Sequence, residues 1–571
     1  PLPDAMSEPK TTSDRHETPR RSIGPIIGGS LSRGVEARLE GTSTPEALRS
    51  GQMVVVEGER YDFFGMITDL ALRSTSPEAL EGAPSIDLRD EPLGAILRGN
   101  TYYGLATLRL SLMRARGARV DDEEALEPAR TIPGHFAPAR IAGSADVERV
   151  FGRPGEGGYY RIGSPIEMKD VSVCVDLDRL VERSSGIFGK SGTGKTFLTR
   201  LVLAGIIRRA RLAKQTSSGT RPPTLLVFDM HNEYAHGSRR EEGSVVKGLA
   251  DYFPADVEVF SLGSQGSRGG RFVVQIPYSQ IEPEDVLLLS DELNLTDTAA
   301  ECAYLAQARW GKAWFQRMID PSPEAAEERK SLGAHEQAIR AFWQRLRYLH
   351  SQCQSFLCDR LSPELDAVRQ IMINLREGKH TIVEFGKSRH LLQYMFVANI
   401  LTRRIHAQYT EATEAYLAEP KPGNEPRPAV IVLEEAHKFL SPTLARQTIF
   451  GTIAREMRKY YVTLLIVDQR PSQIDPEIHS QLGTKLICHL DNERDVEAVL
   501  AGASAEMGLR GVLANLRSKQ QALILGHAVR MPVVVDTRTY GDKEFDREIG
   551  FRTEEERRRD ADLAAQQLGG L

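Results

Sequence analysis

One short run constrains this chain more than any other: Gly189-Lys190-Ser191-Gly192-Thr193-Gly194-Lys195-Thr196. It fits G-x-x-x-x-G-K-[ST], and its setting fits as well. The apolar Gly186-Ile187-Phe188 precedes it, and an amphipathic stretch from Phe197 to about Ala210 follows. A strand, a glycine loop and a helix in that order demand an α/β fold, because the loop must curl its backbone N–H groups around a phosphate at the helix N-terminus. In that geometry Gly189, Ser191, Gly192, Thr193 and Gly194 wrap the β-phosphate. Lys195 sets a point charge against the β- and γ-phosphates, and the Thr196 hydroxyl reaches Mg²⁺. The expected cofactors are ATP and Mg²⁺.

The rest of the core should then be a parallel sheet. Continuous apolar runs at Leu225–Phe228, Ala429–Leu433, Val462–Val467 and Leu523–Leu525 read as strands buried on both faces, with helical stretches between them. One such run ends in Glu434-Glu435-Ala436-His437. Paired carboxylates at a strand end suit hydrolysis: the first, Glu434, holds the metal, and the second, Glu435, acts as general base on the attacking water. The Val462–Val467 run ends in Asp468-Gln469-Arg470-Pro471, which makes Gln469 the candidate γ-phosphate sensor.

Two weaker clusters accompany these. Asp229-Met230-His231-Asn232-Glu233-Tyr234 follows Leu225–Phe228. With the usual strand order Asp229 ends the strand beside the P-loop strand and supports Mg²⁺ or its waters, with Glu233 a second acid near the phosphates; a turn or N-cap role is the alternative. Arg455 and Arg458 lie three apart on one helical face. If subunits form a ring, that face points an arginine at the neighbour's ATP; otherwise it is a solvated basic helix end.

Composition bounds the partners. Lys and Arg total 73 against 78 Asp and Glu, a net charge of −5, so nucleic acid is to be sought in a groove or pore rather than over the outer surface. No apolar run approaches a membrane span, no signal-peptide core leads the chain, and five scattered cysteines fit a reducing, cytoplasmic setting. Along the chain we expect a disordered tail at 1–22, a small β-barrel at 23–166, the α/β core at 167–282 and 378–550, an inserted helical domain at 283–377, and a charged helix or tail at 551–571. A helical stretch around Ala139–Phe151 should lead out of the barrel, and residues 411–428 should form a loop. Trp310 and Trp314, four apart, should share a helix face, packed in the bundle rather than stacked on bases.

Together these residues resemble the HerA family of hexameric DNA translocases and helicases, bacterial members included, within the HerA–FtsK group of P-loop ATPases. Ile23-Gly24-Pro25-Ile26, Gly51–Val56 and Gly65–Thr68 resemble the family's N-terminal HAS-barrel. Asp229–Tyr234 is similar to its D-x-H-x-E-Y motif, and Glu434–His437 to its E-E-A-H form of the second motif. Arg458-Lys459-Tyr460 and Gln469-Arg470-Pro471 resemble G-R-K-Y and Q-R-P, although Met457 stands where the family often has Gly. Gly526–Val535 resembles a C-terminal strand that braces neighbouring subunits. The resemblance implies a RecA-like core, a homo-hexamer with double-stranded DNA in its central channel, and ATP between subunits. It also implies a separate NurA-like nuclease or antiphage effector on the barrel face, in DNA-end resection or defence. The alternative is an ATP-binding scaffold that assembles and activates such an effector. Arg268 and Arg271 (GSRGGR) are candidates for a channel loop, with a plain surface hairpin as the alternative.

Overall fold

The computed structural model describes residues 21–40, 43–75, 102–117, 125–215, 221–239, 245–262, 272–362, 365–385, 391–421, 423–446, 448–502 and 506–551. The chain divides into two units, Pro1–Val150 and Phe151–Leu571. Apart from Arg21, Ser22 and Phe551, the expected tails at 1–22 and 551–571 lie outside the described residues, as do Arg268 and Arg271.

In the first unit the strand order is Gly34–Arg38, Ser22–Ser30, Pro138–Ile141, Met53–Glu57, Tyr61–Ser74 and Tyr102–Ala115, all antiparallel. The last of these pairs back onto the first, Val35 opposite Leu108, so the sheet closes into a barrel. Leu126–Pro128 adds a short seventh strand to Tyr102–Ala115. Among the described residues closure leaves no long edge to pair with another chain, and side chains such as Ile23, Val54, Phe63, Ile67 and Leu108 fill the interior. Gly24 shows why the opening motif contains glycine. At its φ of 144° a Cβ would lie 1.9 Å from the Arg38 carbonyl oxygen.

Two expectations are corrected here. The helix begins at Ser144, not Ala139, because Pro138–Ile141 is a barrel strand. The barrel unit ends at Val150 rather than 166. Strand Tyr159–Pro165, expected in the barrel, pairs antiparallel with Val533–Thr537 in the sheet of the second unit.

That second sheet has twelve strands. Its parallel part runs Phe272–Val274, Val257–Leu262, His380–Glu384, Thr224–Asp229, Ala429–Glu434, Val462–Asp468, Ser185–Phe188 and Thr484–Ile487. Gln521–Gly526, Val533–Thr537, Tyr159–Pro165 and Val173–Asp176 extend it antiparallel. Every residue of Thr224–Asp229, Ala429–Glu434 and Val462–Asp468 is buried, as the apolar runs require of strands covered on both faces. The order sets the carboxyl ends of Ser185–Phe188, Val462–Asp468 and Ala429–Glu434 side by side, where open α/β sheets bind ligands. It also corrects the place of Asp229: two strands stand between its strand and the P-loop strand. Gly526–Val535 spans the turn of a hairpin within this same sheet.

Residues 283–353 are helical apart from short connections, and the two-residue strand Leu357–Cys358 follows. The expected insert extended to 377, but helix Ala367–Glu377 is a crossover helix of the core. Asn374 Nδ2 donates to Glu258 Oε2 at 2.6 Å, and Leu375 O accepts from the Thr224 hydroxyl at 3.2 Å. Trp310 and Trp314 do not share one helix, because Gly311 at φ 54° breaks it between them. Trp314 is fully buried and donates its indole N–H to the Ile281 carbonyl at 2.7 Å. Helix Leu391–Ala418 covers the first part of the segment read as a loop; Glu and Ala carry it to the stop at Pro420. All five cysteines are free thiols; Cys353 ends a helix, and Cys358 lies in the two-residue strand.

Candidate active site

Three strand ends build the site. From Ser185–Phe188 the chain enters the glycine loop, where Gly189 N–H donates to the Asp468 carbonyl at 3.2 Å. Gly192 and Gly194 take left-handed φ values of 81° and 99°, which a side chain would oppose. A Cβ on Gly192 would meet nothing within 4 Å, so that side of the loop is open to a ligand. Helix Lys195–Gln215 follows, with Leu198 N–H donating to Gly194 O at 3.0 Å. The N–H groups of its first turn have no intrahelical partner and carry the positive end of the dipole. Burial pulls the Lys195 ammonium down, while Asp468, Glu435 and Glu434 pull it up. Left-handed glycines, orphan amides, the Lys195 ammonium and no acid within the loop are a donor set that fits a triphosphate.

Glu434 ends the strand Ala429–Glu434 and is 6% exposed. Tyr234 OH donates to its Oε1 at 2.9 Å, and Tyr394 OH donates to its main-chain carbonyl at 2.8 Å. Its Oε2 is buried with no hydrogen-bond partner among the described residues. Burial first, then the nearby Asp229 carboxylate, push the Glu434 carboxyl up to about 8. An orphaned, buried carboxylate oxygen fits a divalent cation or its water. Glu434 is therefore a residue that would hold Mg²⁺, with the Thr196 hydroxyl expected from the P-loop motif; the ion when bound neutralises phosphate charge.

Asp229 does not join them. Its two oxygens accept the N–H groups of Glu233, Tyr234 and Ala235 at 2.7, 2.8 and 3.1 Å. The carboxylate is spent on holding the 230–235 turn, the alternative role, and that turn aims Tyr234 at Glu434. Burial pushes Asp229 upward against those three bonds. Glu233 contributes its carbonyl to Arg200 of the P-loop helix.

Glu435 follows in the left-handed region, φ 49°. Gln469 Nε2 donates to its Oε1 at 2.9 Å, and His231 Nε2 stands 3.9 Å from the same oxygen. The His231 imidazole chiefly, with Lys195 and His437, holds the Glu435 carboxyl below the usual carboxylate range, so it is ionised at neutral pH. Asn232, beside His231, is also left-handed at φ 54°. Such residues cost about 1–3 kcal/mol each and gather at functional sites. Sequence reasoning paired Glu435 with Gln469 in role, and the structure brings them into direct contact. The pair can orient and deprotonate a water in line with a γ-phosphate.

The arginines divide. Arg455 donates Nε to Glu477 at 3.2 Å and Nη1 to the Ala445 carbonyl at 3.0 Å, so within its own chain it braces a turn. Arg458 lies in the 3-10 turn Met457–Tyr460, and its side chain is outside the described residues. Sequence reasoning missed Tyr394, Asp468 and His437 as site residues. Asp468 and His437 stand within recognised motifs and were legible in principle; nothing local marks Tyr394, which arrives from the long helix Leu391–Ala418.

Comparison with known proteins adds to this geometry. Residues 160–405 match the family model described as the central domain of helicase HerA, and residues 23–92 match the HAS barrel domain. A DNA double-strand break repair helicase HerA of Sulfurisphaera tokodaii is 40% identical over 529 residues, covering 90% of this chain and 92% of the relative. The protein of the same description from Sulfolobus acidocaldarius is 23% identical over 527 residues, with coverage of 90% and 92%. Among solved structures, VirB4 of Thermoanaerobacter pseudethanolicus aligns at a TM-score of 0.41 and 14% identity, over 68% of this chain and 97% of that one.

Proposed function

Given that the chain belongs to the HerA helicase family, and is a P-loop ATPase with a RecA-like core and an N-terminal HAS-barrel, we propose that it is an ATP-driven, homo-hexameric translocase of double-stranded DNA. The observation that carries the hydrolytic half is the 2.9 Å bond between Gln469 and Glu435, at the strand ends beside Lys195. Family membership supports the DNA half. In this reading duplex runs through the ring's channel and is gripped by its phosphates, largely without regard to sequence. Glu435 is the general base, Gln469 the sensor, Thr196 and Glu434 the Mg²⁺ residues, and Arg458 the arginine offered to a neighbour's ATP, since Arg455 is engaged in its own chain.

A separate nuclease or antiphage effector on the barrel face would act on the DNA that is moved, inside the cell. No helix among the described residues is long and apolar enough to cross a membrane. The test is the steady-state ATPase rate with and without linear duplex DNA at two salt concentrations. Stimulation that fades as salt rises, and that Glu435→Gln abolishes while ATP still binds, is the expected result. A rate indifferent to DNA, with or without a partner present, overturns the motor and favours the scaffold.

A further inference from the structure

Asp468 is the last residue of strand Val462–Asp468, fully buried, and its bonds reach three loops. Its Oδ2 accepts the main-chain N–H of His437 at 2.7 Å. The His437 Nδ1 lies 3.0 Å from Oδ2 and 3.2 Å from Oδ1. A carboxylate only accepts here, so Nδ1 carries the imidazole proton. Oδ1 also accepts Arg470 N–H at 2.6 Å, and the Asp468 carbonyl accepts Gly189 N–H at 3.2 Å. One buried residue thus ties the turn after Glu435 to the turn after Gln469 through its side chain, and to the mouth of the P-loop through its main-chain carbonyl.

We propose that Asp468, through its bonds to His437, is the positioning residue that keeps Glu435 and Gln469 in contact. Glu435 sits left-handed at φ 49°, a backbone state that a residue with a Cβ leaves unless it is held. Its hold comes from two residues on, where His437 is pinned to Asp468. Gln469 is fixed from both sides, by Asp468 before it and by Arg470 N–H behind it. Glu435, His437 and Asp468 place one ligand-type atom each within 4.8 Å of one another. That closeness is accounted for by hydrogen bonds rather than by a metal, since the Asp468 oxygens already accept two main-chain N–H groups and the imidazole N–H.

The inference rests on the roles given to Glu435 and Gln469, and its test separates the two. Loss of the charge-assisted bond in His437→Ala should lower the ATPase kcat about 10- to 30-fold. Binding of a non-hydrolysable ATP analogue should stay at the wild-type Kd. His437→Asn returns an amide N–H near the Nδ1 position and should restore most of kcat, which a role in packing alone would not do. In an Asp468→Asn background His437→Ala should cost several-fold less than in the wild type, the remainder being the direct approach of His437 Nδ1 to Glu435 Oε2 at 3.6 Å. Wild-type kcat in His437→Ala, no rescue by Asn, or multiplying losses in the double variant overturns the proposal. If Asp468→Asn does not fold, the Ala and Asn variants at 437 decide alone. Wild-type turnover in Glu435→Gln would instead place the failure in the assignment of the base.

Discussion

Asp285, fully buried at the start of the helical segment, faces Arg403 of helix Leu391–Ala418. Its Oδ1 accepts Arg403 Nε at 3.1 Å and Asn399 Nδ2 at 2.8 Å, and its Oδ2 accepts Arg403 Nη2 at 2.7 Å and Glu282 N–H at 2.8 Å. The Arg403 side chain is 27% exposed, so the pair is only weakly screened. Replacing Arg403 by Met keeps most of the aliphatic stem but removes the counter-charge and three hydrogen bonds, two to Asp285 and one to the Gln280 carbonyl. Breaking a buried pair from one side costs about 3–5 kcal/mol, because the remaining charge is stranded. With a urea slope of about 3 kcal/mol/M, the upper end for a chain of this size, the unfolding midpoint should fall by about 1–2 M. The assay is intrinsic tryptophan fluorescence, since Trp310, Trp314 and Trp343 all lie in this segment. The decisive variant is the double one, Arg403→Met with Asp285→Leu. With no charge left to strand, it should recover most of the loss. An Arg403→Met loss below about 1 kcal/mol, or a double variant worse than the sum of the singles, refutes this reasoning.

Three further outcomes are expected. Glu434 has a folded-state pKa raised to about 8 by burial, so its contribution to stability is full below the ordinary glutamate range near 4.5 and is lost as pH climbs through about 8. In Mg²⁺-free, nucleotide-free protein, Glu434→Gln should therefore match wild type at pH 5 and melt higher at pH 8.5; a gap that closes toward high pH contradicts this. Burial lowers His380 to about 3 and His479 to about 4, so both favour the fold above their unfolded value near 6.5, and stability should drain away as pH falls from there toward 4. His380 Nδ1 accepts Leu225 N–H at 3.1 Å, and His380→Asn, which keeps an acceptor, should flatten that slope in urea titrations. Gly24→Ala should weaken the barrel by about 2 kcal/mol or more. Hydrogen exchange in Ser22–Ser30 and Gly34–Arg38 should accelerate while the tryptophan transition stays put, and unchanged exchange would contradict the close contact with Arg38.

What was legible in advance was local. The phosphate loop is contiguous, and its glycines, lysine and threonine act through their own backbone and first helical turn, so Gly189–Thr196 could be read residue by residue. Glu434, Glu435 and Gln469 stand at the ends of apolar runs, and a buried parallel strand announces itself by composition alone.

Neighbourhood across the sheet was decided only by tertiary structure. Strand order placed Asp229 two strands farther from the P-loop strand than its motif suggested, and spent its carboxylate on backbone amides. A short strand's own residues cannot say which sheet it joins, so Tyr159–Pro165 read as barrel and belongs to the core. Tyr394 reaches Glu434 from a helix 40 residues away, and Asp468 meets His437 across a separation of 31. Residue types and local geometry are written along the chain. Which carboxylate keeps a free oxygen, and which is consumed by hydrogen bonds, depends on groups that only the folded sheet brings within about 3 Å.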